Sequence, residues 1–133
     1  MSKLPFENLW IIMSNSNSCV EHNELYTKLR SFASERDWSK FHSPKNLTMA
    51  LSVEVSELME IFQWLTEEQS NKLTDEQTTK VQEELADVFL YLLQLADATN
   101  IDLIQAAHIK IQKNAQKYPI SSSYGNATKY SDK

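Results

Sequence analysis

The stretch ALSVEVSELMEIFQWL (residues 50–65) and the later stretch VQEELADVFLYLLQL (residues 81–95) decide the fold of this chain. In both, apolar residues recur at spacings of three and four, which is the period of an α-helix with one buried face. In the second stretch, Leu85, Val88 and Leu92 belong to the predicted buried stripe. Two such helices can cover their apolar faces by packing against each other, so the sequence predicts an all-α domain.

Start and stop signals extend this pattern on both sides. Ser43 followed by Pro44 is typical of a helix start, and Thr74 with Gln77 has the form of a capping box. One glycine and three prolines in 133 residues favour long helices over hairpin turns. We therefore predict a four-helix bundle with a polar loop over residues 66–73. The helices should cover about residues 22–36, 46–65, 75–99 and 103–118.

At 133 residues the chain has the size of one domain. We expect residues 1–20 to form a weakly ordered leader, because the polar run SNSNS interrupts the apolar pattern there. Residues 21–119 form the predicted helical domain. After Pro119 the chain contains its only glycine, and residues 120–133 are predicted to form an extended tail.

Charge and cysteine content exclude several classes of protein. Thirteen Lys and Arg against eighteen Asp and Glu leave a net charge of −5, so the chain lacks the basic surface that duplex nucleic acid requires. The apolar run LWIIM (residues 9–13) is too short to cross a bilayer, so no membrane partner is expected. Cys19 is the only cysteine and cannot form an intramolecular disulfide, which fits a cytoplasmic protein.

Acidic residues concentrate between residues 54 and 87, and their positions on the helices separate solvated acids from buried ones. At about 100° per residue, Glu54 lies inside the apolar stripe of the first helix, between Leu58 and Ile61. Glu57 follows one turn later at the shoulder of that stripe. In the second helix Glu84 lies within the stripe and Asp87 lies at its shoulder.

Four carboxylates converge if the two stripes face each other. Two carboxylates 4 Å apart repel by about 4 kcal/mol at an effective dielectric near 20, so protons or a cation must neutralise them. Oxygen ligands without His or Cys favour a hard ion, and Mg²⁺ leaves coordination positions open for water and phosphate. We therefore predict a magnesium site.

One other interpretation of these acids stays open. The carboxylates could form a seam that pairs with basic residues of a partner, as in a non-enzymatic helical interaction protein. A di-iron bundle is excluded, because it needs Glu-x-x-His on two helices and neither His42 nor His108 supplies that motif. Leu90 and Leu93 lie outside the predicted stripe, so their helix is apolar on most sides, which predicts self-association.

The same residues resemble a known family. The pair Glu54 and Glu57, followed by Glu84 and Asp87, is similar to the E-x-x-E and E-x-x-D motifs of the all-α nucleoside triphosphate pyrophosphohydrolases, the MazG-like superfamily. The resemblance covers about residues 22–131. Four segments closely resemble the branch that includes the dCTP pyrophosphatases: SFASERDWSKFHSPKNL, ALSVEVSELMEIFQW, EELADVFLYLLQLAD and KIQKNAQKYP.

The resemblance implies that the domain of residues 21–119 is catalytic and hydrolyses dCTP or a related (deoxy)nucleoside triphosphate to the monophosphate and pyrophosphate, as a house-cleaning reaction. It implies a MazG-like fold assembled as a homodimer or as a homotetramer, a dimer of dimers. The ligands that the resemblance implies for Mg²⁺ are Glu54, Glu57, Glu84 and Asp87. The implied contacts to base, sugar or phosphate are Trp38, Trp64, Tyr91, Lys110, Asn114 and Tyr118.

The chemistry of the residues agrees with this. Attack by water on phosphorus needs charge neutralisation by the metal, and a nearby carboxylate takes the proton of the water. Glu57, at the shoulder of its helix, can reach both metal and water, so we predict catalysis by Glu57 with Glu54 beside it. Trp38 and Trp64 can enclose a base by stacking, and the loop residue His42 is expected near that base.

One departure concerns the base. The dCTP-specific vertebrate members carry a His nine residues before the loop tryptophan, where this chain has Leu29, which argues against strict cytosine selectivity. A relative that cleaves phosphoribosyl-ATP stays an alternative, although Trp38, Trp64 and the FHSP loop favour the dCTP-like branch. Lys129 and Tyr130 of the tail resemble a family feature that lies near the site.

Overall fold

The computed structural model describes residues 7–128, with side chains described for residues 21–128. Every regular element in this part of the chain is helical, which confirms the predicted all-α class. Residues 1–6 of the predicted leader and residues 129–133 of the predicted tail, including Lys129 and Tyr130, lie outside the described residues. The helices are α1 (Glu7–Glu35), α2 (Pro44–Phe62), α3 (Glu67–Ser70), α4 (Asp75–Ala98), α5 (Leu103–Lys117) and α6 (Ile120–Ser123), and a 3-10 turn covers Ser39–Phe41.

Helix α1 begins earlier than the sequence pattern indicated. It starts at Glu7 rather than near His22, so the predicted start of the first helix is wrong. Neither glycine nor proline interrupts this segment, and serine and asparagine lower helix propensity without ending a helix. Residues 7–20, predicted as part of a weakly ordered leader, therefore belong to the helix.

The predicted caps of α2 and α4 are confirmed. The hydroxyl of Ser43 accepts a hydrogen bond from the backbone N–H of Asn46 at 3.2 Å. The capping box at the start of α4 is complete: the Thr74 hydroxyl accepts from the N–H of Gln77 at 3.2 Å, and the Gln77 side chain accepts from the N–H of Thr74 at 2.9 Å. These caps fix where the two long helices begin. Helix α2 ends at Phe62, slightly before the predicted end.

The predicted loop over residues 66–73 contains a short helix, α3, so that prediction is wrong for four of its residues. Thr66 and Gln69 form a second capping box, with the same spacing as the one that opens α4. The sequence therefore carried the signal for α3.

The core lies between α2 and α4. Residues late in α2 meet residues early in α4, so the two helices are antiparallel. Leu47 of α2 and Leu93 of α4 are fully buried, and the small side chains of Ala33 and Ala96 are also buried. Leu93, predicted to lie outside the main stripe of a helix that is apolar on most sides, is buried, and α4 packs against α1 as well as against α2.

Several apolar side chains on α2 and α4 remain exposed. Leu85, predicted to be buried, is 51% exposed, and Val53, Met59 and Phe89 are also exposed. Within residues 7–128 no helix combines the length and the apolar run that crossing a bilayer requires.

The chain divides into two compact units, Met1–Thr99 and Asn100–Lys133. In the second unit, the Asp102 side chain accepts a hydrogen bond from the N–H of Gln105 at 2.9 Å and starts α5, as predicted. The predicted extended tail is wrong over Ile120–Ser123, which form α6. Proline ends the preceding helix, yet its carbonyl still accepts hydrogen bonds from the next turn.

Candidate metal and nucleotide site

Four carboxylates from α2 and α4 lie together in the first unit. One carboxylate oxygen from each of Glu54, Glu84 and Asp87 lies within 4.8 Å of the others. The carboxyl of Glu57 shares hydrogen bonds with those of Glu54 and Glu84. Because the helices are antiparallel, the i, i+3 pair of one helix faces the i, i+3 pair of the other. We call Glu54, Glu57, Glu84 and Asp87 the acid cluster.

The burial of these acids follows their position around each helix. Glu54 and Glu84 are half-buried, whereas Glu57 and Asp87 are exposed. This order agrees with the helical angles, which put one acid of each pair inside the apolar stripe and the other at its shoulder. The acid cluster therefore has a partly desolvated interior and a side open to solvent.

Burial and neighbouring acids disfavour the ionised forms of Glu54 and Glu84. Burial is the main cause that raises the pKa of Glu54, and the hydrogen bond and negative charge of Glu57 raise it further. Burial also raises the pKa of Glu84, followed by the charges of Glu57 and Asp87. In the part of the chain that the structure describes, no ion pair includes any of these four acids. No salt bridge therefore balances their charge.

One oxygen of the acid cluster has no partner within the described part of the chain. Among the described residues, Oε2 of Glu84 is buried and makes no hydrogen bond. A buried carboxylate oxygen without a partner is costly, and a bound cation would supply that partner. The ligand atoms are all carboxylate oxygens, which suits a hard divalent ion such as Mg²⁺ better than zinc or copper. The residues present therefore fit a divalent metal.

A cavity of about 220 Å³ lies beyond one end of the acid cluster. Its walls include Leu47 of α2 and Gln94 of α4, each seven residues from a cluster acid on the same helix. Seven residues make about two helical turns and 10 Å, so this cavity and the acid cluster lie on the same face of the helix pair. We call it the Leu47 cavity; its lining residues are Tyr26, Leu29, Arg30, Ala33, Ser39, His42, Leu47, Gln94, Asp97 and Ala98.

A larger and more polar space of about 500 Å³ lies at the other end of the acid cluster. Ile61 of α2 and Lys80 of α4 line it, together with Glu57 and Glu84 of the acid cluster itself. We call it the Lys80 cleft; its lining residues are Glu57, Glu60, Ile61, Gln77, Lys80 and Glu84. The acid cluster therefore lies between a mixed cavity and a charged cleft.

The residues predicted to hold a base lie in several places in the first unit. His42 lines the Leu47 cavity. Trp38 makes an edge-to-face contact with Phe32 at 5.8 Å between ring centroids. The Trp38 residue is still 46% exposed. Trp64 follows the end of α2 and is 85% exposed, so it is not part of the core. Tyr91 is half-buried, one turn after Asp87 on α4.

The remaining predicted contacts belong to the second unit. Lys110 and Asn114 lie on α5 at a spacing of four, which places them on one side of that helix. Tyr118 follows the end of α5, and its backbone N–H donates to the Asn114 carbonyl at 2.8 Å. The structure brings these three residues together along one helix, and their contact with a substrate stays a prediction.

Sequence reasoning missed two charged features of the first unit. Lys80 precedes Glu84 by four residues, so helical spacing alone could have placed it on the same face. The ion pair between Arg30 of α1 and Asp97 of α4 had no local signal, since its members are 67 residues apart. The Nε of Arg30 donates to one oxygen of Asp97 at 2.8 Å, and Nη2 donates to the other. This bond is the main cause that lowers the pKa of Asp97.

Similar proteins carry nucleotide-related names. The chain is 47% identical over 103 residues to dCTP pyrophosphatase 1 of Mus musculus and 40% identical over 103 residues to that of Homo sapiens. Each match covers 76% of this chain and 61% of the relative, so the chain spans about three fifths of the length of these curated relatives.

A solved structure has a similar fold. The crystal structure of a pyrophosphatase from Archaeoglobus fulgidus DSM 4304 matches with a TM-score of 0.70 and 44% sequence identity. The match covers 73% of this chain and 91% of the archaeal one. Residues 49–132 match the MazG-like family. This match includes the whole acid cluster and covers more than half of the chain, which therefore belongs to the MazG-like family.

Proposed function

We propose that this protein is a Mg²⁺-dependent hydrolase that cleaves (deoxy)nucleoside triphosphates, dCTP or a related nucleotide among them, to the monophosphate and pyrophosphate. The observation that carries the proposal is the acid cluster, with the unpartnered buried oxygen of Glu84 inside it. Membership of the MazG-like family and the names of the relatives support the same reaction. In a cell the enzyme would remove unwanted nucleotides from the cytoplasmic pool.

Glu54, Glu57, Glu84 and Asp87 would hold the metal. Bound there, Mg²⁺ would neutralise phosphate oxygens and orient the phosphate chain. Among the four, Glu57 is exposed while its carboxyl contacts Glu54 and Glu84, so it can meet solvent and substrate at once.

We assign Glu57 the role of general base, with Glu54 as the catalytic residue beside it. A water molecule attacks the α-phosphorus and gives its proton to the Glu57 carboxylate. The bond between that phosphorus and the oxygen bridging to the β-phosphorus breaks, and pyrophosphate leaves with the bridging oxygen. Glu57 can take this role only when ionised. Burial and neighbouring acids raise the pKa of Glu54 and of Glu84, and a metal held by the acid cluster would favour the ionised carboxylates.

The Leu47 cavity is the proposed place for the base. It lies about two helical turns, or 10 Å, from the acid cluster, which is the scale of the distance between base and phosphates in an extended nucleotide. His42 lines the cavity and can donate to or accept from a base edge, and Leu29 in its wall supplies no hydrogen bond. We therefore propose that cytosine is accepted without strict selectivity.

The aromatic and α5 residues complete the proposed substrate contacts. The exposed ring of Trp38 offers a stacking surface for the base, and Tyr91 lies near the sugar in this proposal. Trp64 follows the end of α2 that lines the Lys80 cleft, so we propose that its exposed ring stacks on the base bound by a second copy of the chain. Three polar residues of the second unit are proposed to contact sugar or phosphate: Lys110, Asn114 and Tyr118.

We also propose that the helices form a four-helix bundle of the MazG-like type, which assembles as a homodimer or as a homotetramer. The exposed apolar residues of α2 and α4 support self-association, because a single copy leaves them in water. Size-exclusion chromatography with light scattering tests this part. A monomer at micromolar concentration would contradict it.

A substrate panel tests the proposed reaction. Purified protein with Mg²⁺ should release pyrophosphate, and no orthophosphate, from at least one common deoxynucleoside triphosphate, and EDTA should stop the release. Product analysis should find the matching monophosphate in equal amount. Orthophosphate as the only product would contradict the proposal, and so would an absence of turnover across the panel. Cleavage of phosphoribosyl-ATP alone would assign the chain to the other branch of relatives.

A further inference from the structure

The Lys80 cleft carries an uneven set of charges. Among the described residues that line it, Lys80 is the only cation, whereas Glu57, Glu60 and Glu84 are acids. With divalent ions on the acid cluster, an anionic ligand in this cleft would still face Glu60. Lys80 would then be the one protein cation on the cleft wall able to meet that ligand.

The side chain of Lys80 makes only a weak, exposed ion pair with Glu76. Its ammonium donates to Oε1 of Glu76 at 2.8 Å, and the two side chains are 59% and 79% exposed. Exposed Lys–Glu pairs at i, i+4 contribute little to stability, because water solvates both charges and long side chains lose freedom in the pair. The ammonium can therefore leave Glu76 for a stronger anion at small cost.

The order of the sites along the helix pair says which part of a nucleotide would reach Lys80. The Leu47 cavity, the acid cluster and the Lys80 cleft follow one another along α2 and α4. Glu84 and Lys80 are one turn, about 6 Å of helix, apart on one face. A nucleotide with its base in the cavity and its α-phosphate at the acid cluster must extend its outer phosphates into the cleft.

We propose that Lys80 binds the β- and γ-phosphates of the substrate in the Lys80 cleft, and holds the same two groups as they leave as pyrophosphate. This inference rests on the proposed function, because it takes the acid cluster as the place of the α-phosphate. Lys80 binds as a point charge with three N–H donors, a geometry that suits terminal phosphate oxygens.

The test compares Lys80→Gln with the matched variant Lys72→Gln. Lys72 makes the same kind of exposed i, i+4 pair, with Glu68 at 3.1 Å, but does not line the cleft. Lys80→Gln should raise the KM for the triphosphate about tenfold with kcat nearly unchanged, since one charge-assisted contact is lost. Lys72→Gln should leave both constants unchanged, and Lys80→Arg should restore most of the affinity.

A binding measurement separates this inference from the proposed function. In calorimetry with Mg²⁺, Lys80→Gln should raise the Kd for inorganic pyrophosphate about tenfold. The Kd for dCMP, which lacks the outer phosphates, should stay unchanged. The role of Lys80 would be overturned if Lys80→Gln weakened dCMP binding as much as pyrophosphate binding. It would also be overturned if Lys72→Gln weakened pyrophosphate binding as much as Lys80→Gln does. A wild-type protein that hydrolyses no triphosphate would instead overturn the proposed function, and pyrophosphate binding would still report on Lys80.

Discussion

Helix α4 carries two carboxylate sites that face another helix, and they have opposite electrostatics. Near one end, Asp97 receives two hydrogen bonds from Arg30 of α1, and its pKa is lowered. In the first half of the helix, Glu84 meets the acids of α2, has no ion-pair partner among the described residues, and its pKa is raised.

The two sites differ in whether the protein itself supplies a partner for the carboxylate. Asp97 is neutralised within the protein, so it can serve stability without a ligand. Among the described residues no ion pair balances the charge of the acid cluster and one Glu84 oxygen has no partner, so a bound cation would stabilise the folded protein. A carboxylate thus has a partner within the protein at one end of α4, whereas in the first half of the helix a carboxylate oxygen has none among the described residues.

Removing one acid from the cluster should give the largest effect. Glu84→Gln keeps the shape of the side chain and removes a metal ligand, so pyrophosphate release should fall at least about 100-fold. The Tm of the metal-free protein should rise, because the substitution relieves repulsion. Glu83→Gln, on the exposed side of α4, should change neither quantity. If Glu84→Gln released pyrophosphate at the wild-type rate, the contrast drawn between the acid cluster and the Arg30–Asp97 site would be wrong.

Divalent ions should stabilise the acid cluster and leave the Arg30–Asp97 site unaffected. Mg²⁺ at 100 times its Kd should add about 2.7 kcal/mol to the free energy of unfolding, measured as a rise in Tm. Glu84→Gln should lose most of this rise, and Asp97→Asn should keep it. If NaCl of equal ionic strength produced the same rise, the acids would be a solvated seam and not a metal site.

Breaking the neutralised site should cost moderate stability. Asp97→Asn removes the charge that Arg30 meets, and we expect a loss of about 1 kcal/mol, or a few degrees in Tm. Glu68→Gln, which breaks an exposed pair with Lys72 at the surface, should shift Tm much less. Equal shifts in thermal melts would show that the Arg30–Asp97 pair is no stronger than an ordinary surface pair.

The pH dependence of stability should be the smallest effect, and its sign should differ between the sites. A raised pKa means that folded Glu54 and Glu84 hold protons more tightly than in the unfolded chain. Their stabilising contribution is complete below the ordinary carboxyl pKa and is lost as pH rises through the raised values. For Asp97 the contribution is present above the ordinary pKa and is lost as pH falls through the lowered value.

Thermal melts in EDTA should therefore show Tm falling as pH rises from the ordinary carboxyl pKa into the range just above it. Mg²⁺ should flatten this fall, and Glu84→Gln should reduce it. A Tm that rises steadily through this pH range without metal would contradict the raised pKa values of the acid cluster.

Much of the fold could be predicted because its signals are local. Ser43, Thr74 and Asp102 each bind a backbone N–H within three residues, so the sequence alone indicated where α2, α4 and α5 begin. The capping box of α3 has the same spacing, so the sequence also indicated a helix start within the segment that was predicted to be a loop. The start of α1 was predicted too late, because the polar run SNSNS within the helix was interpreted as an interruption of the apolar pattern.

By itself, the sequence determined that two helices each carry a carboxylate inside the apolar stripe and a second one turn later, because helical periodicity depends only on spacing along the chain. Tertiary structure decided the antiparallel register that puts Glu57 beside Glu84 and leaves one Glu84 oxygen without a partner among residues 21–128. It also decided that Arg30 meets Asp97 and that Leu93 is buried while Leu85 is exposed. These outcomes depend on how whole helices rotate and slide against one another, which is set by packing among residues far apart in sequence.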